Sequence, residues 1–298
     1  MSMKTSITQF QSYLEKEKNM AKNSVLAYLR DIREFSSFVE KKSGITPLEA
    51  TEADTAAWLL TLKQEDKSGA TVNRKLASLR AYYKYMILAG KLTSNPSVSI
   101  KTPKIARKEV EYLTIEEVEL LLEQPDESVI GIRDRAILEL LYATGLRVSE
   151  VIEANLEDMN LRMGFITCNG EHGKARIIPL GRPARAAMEE YVFSGREKLL
   201  REKKDEEQAL FLNYYGERIT RQALWKLICA YAKKADIEKK ITPQTLRNSF
   251  AVHMIQNGAD IKSLQELLGH EDISATQIYL SVSKNRIKDV YDSSHPRA

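Results

Sequence analysis

Cysteine is almost absent: Cys168 and Cys229 are the only two in 298 residues. They form no disulfide framework and match no metal-ligand spacing, which excludes a disulfide-stapled domain and a cysteine-built zinc site. A reducing cytoplasm fits that usage. Long apolar runs are missing as well. None approaches the ~18 residues needed to span a bilayer, so no membrane partner is expected. The opening stretch MSMKTSITQFQSYLEKEKNM is polar and lacks the apolar segment of a secretory signal. No repeat of solenoid period is visible. What remains is a globular composition, 43% hydrophobic and 29% charged, which excludes a wholly disordered chain. A length of 298 residues sits at the upper limit for one core, so two domains are expected.

The net charge of +4 conceals an asymmetry. Residues 1–108 carry 19 Lys/Arg against 10 Asp/Glu, whereas residues 109–298 carry 26 against 31. A basic first third suggests a polyanionic partner such as nucleic acid. A solvated surface with a chance bias accounts for it equally well.

Residues 1–95 read as several helices. Val25, Leu26, Leu29, Ile32, Phe35, Phe38 and Val39 fall at helical spacing over 23–39. Thr46-Pro47-Leu48-Glu49 reads as a helix start, with a capping Thr, Pro in the first turn and Glu three residues after the cap. A third helix, about 71–89, has an apolar stripe of Leu76, Leu79, Tyr83, Met86 and Ile87. Its other face carries Arg74, Lys75, Arg80 and Lys84, a basic row suited to a phosphate backbone or simply a wet face. Residues 91–111, with two prolines and several lysines, read as an interdomain connection. Thr114-Ile115-Glu116-Glu117 then forms a capping box that opens a second domain. That domain is mostly helical with one β excursion, where Phe165–Cys168 and Ala175–Pro179 flank a glycine-containing turn. A long polar helix near 183–204, an amphipathic helix near 220–235 and a helical last third complete the pattern.

Four short segments hold residues suited to chemistry. Arg147 comes just after Gly145, which ends a helix over 134–143, and stands at the start of the next helix, where an anion is favoured. Arg247 lies in the first turns of a helix that Thr242-Pro243 can begin. Two guanidinium forks on rigid elements make a phosphate or carboxylate clamp, although a lone arginine is more often a structural salt bridge. His270 follows Gly269, a helix C-cap, and so sits in a turn. Tyr279 falls on a short helix opened by Ser274 with Gln277 three residues on; beside Ile278 and Leu280 it reads equally as a core tyrosine.

Taken together and in this order, the segments closely resemble the tyrosine recombinases of the phage integrase family, nearest to the bacterial Xer-type enzymes. Residues 23–32 resemble the first helix of that family's N-terminal DNA-binding domain. Ala143–Glu150 resembles the first arginine box, and Leu246–Ala251 with Asn257–Asp260 and Leu267–His270 the second. Gln277-Ile278-Tyr279 resembles the nucleophile motif. The resemblance covers essentially the whole chain. It implies a mainly α protein: a four-helix SAM-like DNA-binding domain over 1–100, a linker over 101–112, and a mostly helical catalytic domain with a small β-sheet over 113–298. The two domains would close on duplex DNA as a C-shaped clamp.

The resemblance also implies strand cleavage without metal or other cofactor. Tyr279 attacks a phosphodiester to give a 3′-phosphotyrosyl link, Arg147, Arg247 and His270 contact the phosphate, and a hairpin lysine protonates the leaving 5′-oxygen. The chain departs from the pattern in two places, the second box and the hairpin. The second box usually begins with histidine where Gln244 stands, and histidine often stands at Asn248. Counting back from Arg176 puts Glu171 at the lysine's place, a longer turn puts Asn169 there, and the only hairpin lysine is Lys174. The implied partners are a double-stranded recombination site and a homo- or hetero-tetramer built on it by exchange of a last helix, about 284–292. Chromosome dimer resolution and mobile-element movement both fit. A DNA-binding paralogue with weakened catalysis is the alternative.

Overall fold

The computed structural model describes residues 3–101, 109–169, 175–200, 207–270 and 272–280. Lys174, the hairpin turn around it and the expected last helix lie outside these ranges. The chain divides into two compact units, Met1–Lys108 and Glu109–Ala298.

The first unit contains helices α1 (Met3–Lys16), α2 (Lys22–Ser43), α3 (Glu52–Gln64) and α4 (Gly69–Leu88). Apolar residues at helical spacing converge on one core, in which Phe10, Ile32, Phe35, Leu76, Leu79 and Tyr83 are fully buried and each contributes about 2 kcal/mol by leaving water. The helix start expected at Thr46 is a turn instead. Glu49 bends back to accept the Thr46 N–H at 2.8 Å and its hydroxyl at 2.9 Å. The helix begins after Thr51, whose hydroxyl oxygen accepts from the Asp54 N–H while the Asp54 carboxylate accepts from the Thr51 N–H. Two capping signals lie five residues apart. Only the second opens a helix, and Ala50, between them, is buried.

The basic face expected on α4 is only partly free: Arg74 and Lys84 are exposed, whereas Lys75 and Arg80 are engaged by the fold. Lys75 is buried at 4% exposure. Its ammonium bonds Asp31 at 3.3 Å, pairs with Glu34 and lies over the Trp58 ring at 5.5 Å. Asp31 is itself fully buried and accepts from Arg74 and, at 2.7 Å, from the Ser78 hydroxyl. Arg80 donates to the main-chain carbonyls of Ser97 and Ile100, so it ties down the segment after α4. Lys84 is exposed. The physical reason is Asp31: a carboxylate in the middle of α2 cannot be buried unpaired, and α4 supplies its cations.

The second unit begins with α5 (Ile115–Leu122), opened by the Thr114 capping box. It continues through α6 (Val129–Thr144) and α7 (Val148–Glu153), then a three-stranded antiparallel sheet in the order β1 (Met159–Asn160), β2 (Phe165–Asn169), β3 (Ala175–Pro179). In the β2–β3 register Cys168 faces Arg176. Helix α8 (Arg182–Glu190) runs through a π turn at Tyr191–Gly195 into α9 (Arg196–Leu200), where one long helix was expected. Then come α10 (Arg221–Lys234), α11 (Pro243–Gln256), α12 (Ile261–Leu268) and the short α13 (Ser274–Gln277). The core runs from α6 to α11, with Ile137, Leu140, Leu210, Leu224 and Leu246 fully buried. No helix among the described residues is long and apolar enough to cross a membrane.

Asp31→Ala strips the buried lysine of a partner and leaves it beside apolar side chains. We expect the first unit to lose about 3 kcal/mol. Urea unfolding followed by Trp58 fluorescence in a Trp225→Phe background measures this; an unchanged midpoint would refute the structural role of the cluster.

Candidate active site

Helix α12 ends in three consecutive carbonyls, and each accepts from a different arginine. Leu267 O takes Arg176 Nε–H at 2.8 Å, Leu268 O takes Arg247 Nη2–H at 2.7 Å, and Gly269 O takes Arg147 Nη2–H at 2.9 Å. Helix C-termini carry orphan carbonyls and partial negative charge, so cations collect there. Gly269 makes the turn possible: it has φ +61°, and a Cβ on it would lie 2.9 Å from the Arg176 guanidinium.

Each arginine arrives on a different element. Arg147 precedes α7, placed by Gly145 (φ +59°), which ends α6. A Cβ on Gly145 would lie 2.4 Å from the Phe250 ring, so both backbone conformation and packing demand glycine. Arg176 comes from β3. Arg247 comes from α11, which Thr242 caps and Pro243 starts.

Glu150 binds two of these arginines together. Its carboxylate accepts from Arg176 Nη1 and Nη2, both at 2.8 Å, from Arg147 Nη1 at 3.0 Å, and from the Arg147 backbone N–H at 2.7 Å. Burial pushes the Glu150 carboxyl up, but the hydrogen bonds from Arg176 and Arg147 and their charges outweigh it and hold the group below its ordinary value. Arg247 is buried at 3% exposure and has no carboxylate partner among the described residues. It donates to the Gly145 carbonyl as well as to Leu268 O. Burial, with the Arg147 charge adding to it, brings its pKa down to about 10. Three guanidiniums around one carboxylate leave a surplus of positive charge, which suits an anion.

His270 completes the cluster. Its Nε2 lies 3.0 Å from Arg247 Nη2, and its Nδ1 lies 2.8 Å from the Thr276 hydroxyl. A guanidinium can only donate, so Nε2 accepts and the proton sits on Nδ1, pointing to Thr276. Burial first, then the charges of Arg247, Arg147 and Arg176, press its pKa down to about 4. Arg147, Arg176, Gly269 and His270 line one open cleft of about 1120 Å³.

Tyr279 lies just beyond α13 and is 2% exposed. Burial raises the pKa of its phenol, against the opposing pull of the Arg247 charge. The hydroxyl donates to Asn248 Oδ1 at 3.1 Å. Ser274 is the first residue of α13 and does not cap it; its own N–H donates to the Asp272 carboxylate at 2.9 Å. Gln244 is exposed and donates to Asn248 Oδ1 at 2.9 Å.

Of the residues singled out in the sequence, Arg147, Arg247 and His270 therefore meet in one cluster. Tyr279 and Gln244 join through Asn248, and Arg74, Lys75, Arg80 and Lys84 belong to the other unit. Sequence reasoning passed over Arg176, which served only as a mark on the hairpin, and over Glu150 and Thr276. Glu150 stands three residues after Arg147, a spacing that signals a helix-start pair. Nothing in the sequence marked Thr276.

Residues 111–286 match the phage integrase family, and residues 7–90 match the N-terminal SAM-like domain of phage integrases. The chain is 45% identical over 294 residues to tyrosine recombinase XerD of Listeria monocytogenes serotype 4b (strain F2365), covering 98% of this chain and 99% of the relative. It is 41% identical over 293 residues to tyrosine recombinase XerD of Oceanobacillus iheyensis, covering 98% of each. Among solved structures, XerH site-specific recombinase bound to palindromic difH substrate superposes with a TM-score of 0.73 at 22% identity, covering 95% of this chain and 83% of that one. A lambda integrase tetramer bound to a Holliday junction gives a TM-score of 0.73 at 16% identity, covering 94% and 77%. At these identities the structural likeness speaks for the fold.

The protonation state of His270 carries a testable consequence. Its folded pKa, about 4, lies below the 6.5 of an unperturbed histidine. Between those values the unfolded chain binds more protons than the folded one, so stability is fully present above about pH 6.5 and declines as pH falls toward 4. Ring 15N shifts of the DNA-free protein are expected to show a neutral, Nδ1-protonated His270 at pH 6. A charged ring at that pH would contradict the arrangement.

Proposed function

The chain belongs to the phage integrase family, and on that premise we propose that it cuts and rejoins DNA strands at a specific site through a 3′-phosphotyrosyl intermediate. The observation that carries this reading is the surplus of guanidinium charge fixed around the end of α12, with a neutral histidine beside it and a tyrosine within reach of the Arg247 charge. Such a preformed positive site stabilises the charge that builds on the non-bridging oxygens as phosphorus is attacked, and needs little reorganisation to do so.

In this reading Arg147 and Arg247 hold the non-bridging oxygens. Arg247 Nη2 and the His270 ring, now hydrogen-bonded to each other, turn toward the phosphate. The Tyr279 oxygen forms a bond to phosphorus, the bond from phosphorus to the 5′-oxygen breaks, the phenol loses its proton, and the leaving 5′-oxygen gains one. Lys174 is the proposed donor of that proton. A 5′-hydroxyl from another strand reverses the sequence of events and rejoins the DNA. Gln244 can donate a hydrogen bond to phosphate but cannot relay a proton, so it slows the chemistry without abolishing it. The substrate is a double-stranded recombination site bound by a tetramer, and chromosome dimer resolution is the process the Xer likeness favours over movement of a mobile element. The second reading, a paralogue with weakened catalysis, draws on the Gln244 substitution.

Covalent trapping on a nicked duplex carrying the host's candidate recombination site separates the two. A protein–DNA band on a denaturing gel that disappears in Tyr279→Phe is the expected result. Specific binding with no covalent band, in the presence of any activating partner, would favour the weakened paralogue. In the same assay Lys174→Ala is expected to slow cleavage at least about 100-fold, the usual worth of a general acid. Restoring the rate with a substrate whose leaving group needs no proton would tie the loss to that step.

A further inference from the structure

The mechanism uses the Tyr279 oxygen but gives no role to the hydrogen bond that holds it. Its acceptor, Asn248, is half-buried on α11, next to Arg247. The Asn248 amide is fixed from two sides. Its Nδ2 donates to the main-chain carbonyl of Glu111 at 2.9 Å, and Gln244, one turn earlier, donates to its Oδ1 at 2.9 Å. A carbonyl can only accept, so the amide nitrogen must face Glu111 and the amide oxygen is left for the phenol. Tyr279 belongs to the buried apolar cluster that also holds Phe250, Ala251, Val252, Leu264 and Leu268. Tyr279 does not line the cleft shared by Arg147, Arg176 and His270.

We propose that Asn248 is a positioning residue for the nucleophile: its side-chain carbonyl, set by Gln244 and by the Glu111 carbonyl, keeps the Tyr279 hydroxyl turned into the core in the DNA-free protein, and this bond breaks before the phenol oxygen reaches phosphorus. The proposal rests on the reading of Tyr279 as the nucleophile. An interaction present in the resting state and lost on the way to the transition state lowers the rate by its own strength. One neutral hydrogen bond is worth about a 2- to 10-fold change in rate. The Gln244–Asn248 pair is then a restraint built from two of the positions at which the chain departs from the family pattern.

The test compares wild type, Asn248→Leu, Asn248→Ala and Tyr279→Phe in single-turnover cleavage of the nicked duplex at saturating protein. Leucine keeps the number and branching of the side-chain heavy atoms and removes the acceptor. Both Asn248 variants are expected to form the covalent complex about 2- to 10-fold faster than wild type while binding the DNA equally well, an increase that a merely structural defect does not produce. Rates at or below wild type in variants that still bind DNA overturn the proposal. Nitration of the free wild-type protein by tetranitromethane, mapped by mass spectrometry, needs no variant. Tyr279 is expected to react far more slowly than the exposed Tyr214 and Tyr215, and equal reactivity overturns the proposal. A wild-type covalent band lost in Tyr279→Phe but unaccelerated in Asn248→Leu removes only the role of Asn248. A band that persists in Tyr279→Phe removes the nucleophile reading as well.

Discussion

The carbonyl end of α12 organises the site. A helix terminus leaves backbone acceptors that must find donors, and here three arginines from three distant elements supply them through Leu267, Leu268 and Gly269. The same contacts fix each guanidinium in place. Charged donors on main-chain acceptors make stronger bonds than neutral pairs, and main-chain acceptors move only if the helix moves. The arrangement thus stores positive charge in a fixed geometry instead of neutralising it.

Other features follow from that constraint. Among the described residues Glu150 is the one carboxylate in the cluster, and it accepts from both Arg147 and Arg176, so it links the α6–α7 turn to the sheet without cancelling the field. Gly145 and Gly269 stand where a side chain would collide with Phe250 or with Arg176. His270, enclosed by the arginines, is driven to its neutral form, which lets it accept a hydrogen bond from Arg247. Tyr279 belongs to a different environment, an apolar pocket reached by the charge of Arg247. Tyr279 and the arginine cluster are thus held by different forces, one by packing and one by charge.

Much of this was legible in the chain. The capping signals at Thr114 and Thr242, the glycines at 145 and 269 and the apolar spacing of α2 and α4 are local, and local chemistry acted as expected. The reading failed where a residue had two local meanings and tertiary contacts chose between them. Thr46 and Thr51 both carry capping signals, yet Glu49 closes a turn on Thr46 and only Thr51 starts a helix. Lys75 sits on a basic face by sequence, yet it is buried because Asp31, more than forty residues away, requires a cation. Thr276 gave no local signal of its role, since it accepts a hydrogen bond from a histidine on a separate turn.

By itself the sequence determined the helical character, the order of the elements and the identities of the arginines, the histidine and the tyrosine, because caps, glycine turns and apolar periodicity act over a few residues. Tertiary structure alone decided which cations are free to meet an anion. That choice depends on where carboxylates and helix-end carbonyls come to lie. The same arginine or lysine is a fold-stabilising partner beside Asp31 and part of an anion site beside the end of α12, and only the packing of distant segments fixes which environment it meets.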